Sequence, residues 1–103
     1  MHFVISDPDD EGKVLVVNMT SDDGTHDRTC VLVVGDHIEV KHQSVINYID
    51  AINPELNKVQ EVVNNDLVDE KNPISKELLV KIQEGAKKSP HLPNKYHKYF
   101  NLF

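Results

Sequence analysis

The chain has no tryptophan, one cysteine, four glycines and a single arginine among its eleven basic residues. With only Cys30, an internal disulfide is excluded and stability must come from packing. No apolar run approaches the roughly 18 residues that cross a bilayer as a helix, so no membrane association is expected. The opening MHFVISDPDD lacks a basic region followed by an apolar stretch of leader length, so export is not expected either. A reducing cytoplasm fits these absences. Internal repeats and low-complexity segments are missing as well. A length of 103 residues supports one modest core and excludes two, so residues 1–103 are expected to form a single domain.

A basic excess is also lacking, since the net charge is −6. The acid is concentrated at the front: residues 1–52 hold ten Asp/Glu against three Lys/Arg, and residues 53–103 hold seven against eight. From Lys76 onward six lysines face only Glu77 and Glu84, with His91 and His97 in addition. The C-terminal quarter is therefore the plausible phosphate-attracting surface of an otherwise acidic chain.

Residues 1–52 carry the β signals. His2–Ser6 and Lys13–Met19 are β-branched and aromatic runs on either side of Asp7-Pro8-Asp9-Asp10-Glu11-Gly12, a turn by composition, and read as a hairpin. The acidic turn lacks the spacing of a calcium loop and reads as a solvated connection. Three further short strands are expected at Thr29–Val34, Ile38–Val40 and Ser44–Ile49. Turns every eight to twelve residues favour a small barrel or strongly curved sheet.

Residues 53–103 change period. Asn53-Pro54-Glu55 suits a helix start, and Leu56, Val59, Val62 and Val63 recur at helical spacing, predicting a helix from Pro54 to about Asn64. The β-branched content leaves a strand over Val59–Val63 as the alternative. The last helix is clearer: Ser75 is a natural N-cap, Leu78, Leu79 and Ile82 form one stripe, and Gly85 is a favoured stop. Pro90 and Pro93 forbid continued helix. Tyr96, Tyr99, Phe100 and Phe103, four of the six aromatics, crowd a terminus that should dock on the chain's own core or on a partner. The fold class expected is α+β: a small antiparallel SH3-like β-barrel or curved sheet followed by one or two C-terminal helices.

The succession HFVISDP, VLVVNMTS, TCVLVVGDH, KHQSVINY and KELLVKIQEGAKKSP resembles small proteins related to the PemK/MazF toxins of bacterial toxin–antitoxin systems. The resemblance implies an SH3-like barrel with appended helices, a homodimer, an antitoxin partner and endoribonuclease activity on single-stranded RNA without a cofactor. Val4-Ile5-Ser6 matches the end of the family's first motif strand, and Val17-Asn18-Met19-Thr20-Ser21 matches the strand that carries its catalytic threonine. Thr20 is the residue carried over. The family's catalytic arginine has no counterpart, because Met1-His2 stands where Arg-Pro would lie; His2 is the nearby substitute.

The residues themselves allow such chemistry. RNA cleavage by 2′-hydroxyl attack needs a base, an acid and a donor for the phosphorane oxygens, and histidine's ordinary pKa of about 6.5 suits the first two. His2 and His37 are thus catalytic candidates with Thr20 as donor, and Ser21, His42, Lys87 and Lys88 are candidates for holding RNA. A metal site grouping His26, Cys30, His37 and His42 lacks ligand-pair spacing, and no metal is expected. Cys30 in its strand-like run reads as a small core residue, with a Cys30–His37 thiolate pair as a minor alternative. The competing function is a catalytically silent SH3-like domain that binds a partner protein through its sheet edge or C-terminal tail.

Overall fold

The computed structural model describes residues 1–67 and 73–103. Four strands, β1 (His2–Val4), β2 (Val16–Ser21), β3 (Val31–Leu32) and β4 (Ser44–Ile52), form an antiparallel sheet in the order β1-β2-β4-β3. The sheet curls into a half-barrel accompanied by helices, so the fold is α+β with the curved sheet expected from the turn spacing. The predicted hairpin is present, with His2 opposite Asn18 and Val4 opposite Val16.

The curl has a local cause. Asn18 pairs with Asn47 and Val16 with Ile52, so two residues of advance on β2 are matched by five on β4. The extra length bulges β4 and bends it around the core, as unpaired insertions do. The chain is covered on both faces over Val14–Val17, as it enters β2, which accounts for the unbroken apolar run. Leu15 and Val17 join the main core with Phe3, Ile46 and Tyr48, whereas Val14 and Val16 join a smaller cluster with Val59 and Val63.

Three predicted elements differ. Ile38–Val40 is a turn rather than a strand, because Asp36 and Val40 donate backbone hydrogen bonds to the Val33 and His37 carbonyls and close the chain locally. The Thr29–Val34 run is a strand only over Val31–Leu32. The first predicted helix is a 3₁₀ turn (Leu56–Lys58) followed by one α turn, α1 (Val59–Val62), and its Asn53 makes no cap; its amide donates to the Tyr99 hydroxyl. The last helix, α2 (Lys76–Lys88), begins as expected, with the Ser75 hydroxyl accepting from the Leu78 amide. It runs three residues past Gly85 and ends just before Ser89-Pro90, where proline forbids another turn.

A 3₁₀ segment (Asn94–Leu102) closes the molecule, and the terminus docks on the chain's own core through Tyr96 and Tyr99. Asp9 is the clasp. Its Oδ1 accepts from the Glu11 and Lys13 amides at 2.9 Å each, and its Oδ2 accepts from the Tyr99 hydroxyl at 2.8 Å, with Lys98 Nζ at 3.3 Å. The Lys13 amide above all, with the Tyr99 hydroxyl, holds the Asp9 carboxyl far below the ordinary range, while burial and that carboxylate push Tyr99 up to about 12. A depressed carboxyl stabilises fully above its unfolded pKa of about 3.9, and that contribution is lost as pH falls through the folded value. Asp9→Asn is therefore expected to lower the urea midpoint at pH 7 and to flatten the loss of stability below about pH 4. An unchanged midpoint at pH 7 would refute the clasp.

Candidate functional site

Pairing of β2 with β4 sets Ser21 opposite Ser44 and Thr20 opposite Val45, so the end of β2 faces the segment that enters β4. An open cavity of about 290 Å³ lies there, lined by Thr20, Ser21, His42 and buried Ser44 together with Met19, Glu39 and Lys41. Successive residues of a strand point to opposite faces. Thr20 and Ser21 nevertheless both line the cavity.

The Ser21 hydroxyl and His42 Nε2 share a hydrogen bond of 2.7 Å. In the tautomer with Nε2 unprotonated, the hydroxyl donates to it and that nitrogen is a proton acceptor at the surface. The Ser44 hydroxyl donates to the His42 carbonyl at 2.9 Å and holds that residue's backbone. Behind the pair, Asp22 takes Arg28 on Oδ2, with Nη2 at 2.9 Å and Nε at 3.1 Å, and accepts from the Gln43 amide at 2.7 Å. The Gln43 amide, foremost, and Arg28 keep the Asp22 carboxyl below its ordinary range. Asp22 and Gln43 each follow a member of the Ser21–His42 pair, so this network pins the two chain segments side by side.

Of the residues expected in a site, the structure thus gathers Thr20, Ser21 and His42. His37 lies elsewhere: it is buried, edge-on to Phe3 at 6.5 Å between ring centroids, and its Nδ1 accepts from the Glu39 amide at 3.1 Å. His2 sits on β1 beside Asp66, whose carboxylate also takes the Met1 amino group at 2.8 Å. Lys87 and Lys88 are exposed at the end of α2 and line none of this cavity. Sequence reasoning misses Glu39, Lys41 and the Asp22–Arg28–Gln43 network. A strand over Ile38–Val40 gives these residues no reason to meet.

Two other readings of the residues find no support in the geometry. Among the described residues no group of three or more His, Cys, Asp or Glu side chains is arranged to hold a metal ion, so His26, Cys30, His37 and His42 do not converge. Cys30 is 2% exposed and burial pushes its thiol up, away from the reactive thiolate. Among the described residues no helix is long and apolar enough to cross a membrane.

A curled antiparallel half-barrel with an open Ser–His pocket at one strand end defines the class of the molecule structurally. The chain matches no protein-family model, no curated protein and no solved structure.

Proposed function

We propose that the chain is a PemK/MazF-like toxin relative, a cytoplasmic, metal-independent endoribonuclease that cuts single-stranded RNA at the Thr20–Ser21–His42 pocket and works as a homodimer controlled by an antitoxin. The observation that carries this reading is the 2.7 Å Ser21–His42 hydrogen bond in the same cavity as Thr20. In this reading an RNA 2′-hydroxyl replaces Ser21 at His42 Nε2 and gives up its proton there. Its oxygen attacks the adjoining phosphorus, the P–O5′ bond breaks, and the departing 5′-oxygen takes a proton from water, leaving a 2′,3′-cyclic phosphate. The Thr20 hydroxyl and the Lys41 ammonium supply donors and charge to the phosphorane oxygens, the largest usual contribution to such catalysis. Lys41 thereby takes the part for which the family uses its missing arginine.

The test is induction of the chain in growing cells, with total RNA followed by primer extension. Growth arrest with RNA cleavage is expected, and Thr20→Ala at equal protein level should relieve both. Arrest that persists in Thr20→Ala, or RNA that stays intact, rejects the reading.

A second reading, a catalytically silent interaction domain, is favoured by one observation. Val33, Val34 and Ile38, next to edge strand β3, are 47%, 67% and 60% exposed. Apolar side chains beside an unpaired edge invite another chain. Intact RNA together with a partner that Val34→Lys no longer binds would select it.

A further inference from the structure

The charge of this chain is segregated along the sequence, although in the fold Lys87 pairs with Glu84 and Lys98 with Asp9, each at 3.3 Å. No Asp or Glu follows Glu84, while Lys87, Lys88, Lys95 and Lys98 do, in a protein of net charge −6. The fold draws this segment into a ridge. Lys87 Nζ lies over the Phe103 ring at 5.8 Å from its centroid, Phe103 is 5.7 Å from Phe100, and Phe100 stacks on His97 at 4.9 Å with the rings 24° from parallel. The end of α2 and the C-terminal 3₁₀ segment are thereby joined by one run of ring faces with a cation at its end. Lys95 extends the ridge, its ammonium 5.2 Å from the Tyr96 ring.

The rings on this ridge are of two kinds. Tyr96 and Tyr99 are buried and hold the segment to the core, Tyr99 through Asp9. His97 is exposed, and Phe100 and Phe103 pack against the main core with part of each ring left uncovered. Partly uncovered rings interleaved with lysines suit a flexible polyanion that also carries planar groups.

We infer that this ridge is a binding track for single-stranded nucleic acid, with Lys87, Lys88 and Lys95 on phosphates and His97 and Phe100 under bases. It is separate from the Ser21–His42 pocket, and none of its residues lines that cavity.

Fluorescence anisotropy with the full chain and a fluorescein-labelled 12-nucleotide oligouridine tests this directly. Binding should weaken steeply with salt, and the Lys87→Gln/Lys95→Gln double variant should reduce the slope of log affinity against log salt by about 1.4, roughly 0.7 for each phosphate that is no longer neutralised. Phe100→Ala should weaken binding roughly tenfold. Retained circular dichroism and melting temperature certify that the variants fold. Absence of binding at low salt overturns the proposal. So does affinity unchanged by the lysine pair, or binding equally tight to base-free heparin and indifferent to Phe100→Ala. Binding without cleavage would reject the ribonuclease reading and leave the track standing, so the two failures are distinguishable.

Discussion

On the proposed ribonuclease reading, His42→Ala is expected to lower the rate of single-stranded RNA cleavage by about 10²- to 10⁴-fold, the usual contribution of a positioned general base. The ring is at the surface, so its removal opens no core cavity and the fold should persist. Ser21→Ala should cost far less, about fivefold, because it removes one orienting hydrogen bond of roughly 1 kcal/mol and leaves the base in place. His37→Ala makes the decisive contrast. That ring is buried against Phe3 and bonded to the Glu39 amide, so its loss should lower the melting temperature while the rate per folded molecule stays unchanged. Rates measured on a defined oligonucleotide, normalised to folded protein, separate these outcomes. If His37→Ala abolishes cleavage at full folded content and His42→Ala does not, the chemistry is not in this pocket.

The ordering of those three effects follows from what sequence can and cannot express. Thr20 and Ser21 are legible as the end of a strand, and His42 as a polar residue before the next. Their meeting depends on β2 pairing with β4, two elements separated by the whole 22–43 connection, and no local signal specifies that partner. His37 misleads for the complementary reason. A histidine beside Gly35-Asp36 looks exposed, yet a turn closed by the Val33 and His37 carbonyls folds it inward. The same turn explains why Ile38–Val40 is not a strand: Val40 is buried and Ile38 is exposed, whereas residues two apart in a strand share a face. The hairpin and the α2 start are legible because turn chemistry and capping act within a few residues.

Gly85 shows the same distinction and leads to the largest expected effect on stability. Near the end of a helical pattern, a glycine is most simply a stop. In the fold it lies inside α2 and buried, because a Cβ there would overlap the Tyr48 hydroxyl and approach its Cζ to 3.1 Å and the Cys30 Cβ to 3.0 Å. Tyr48 cannot retreat cheaply. It is fully buried in the main core and its hydroxyl donates to the Ile82 carbonyl at 2.7 Å. Gly85→Ala should gain about 1 kcal/mol of helix propensity and still destabilise by about 1–3 kcal/mol net, since overpacking displaces a buried ring and its hydrogen bond. In a domain of this size the melting temperature falls by roughly 4–8 °C for each kcal/mol. Tyr48→Phe removes the overlapping oxygen, so Gly85→Ala should cost about 1–2 kcal/mol less in that background, a coupling that a double-mutant cycle in urea reads directly. Residual cost is expected even there, because Cys30 Cβ still crowds the site. A higher melting temperature for Gly85→Ala alone would show that propensity outweighs the steric overlap, and that Gly85 is a spacer between helix and sheet with no steric necessity.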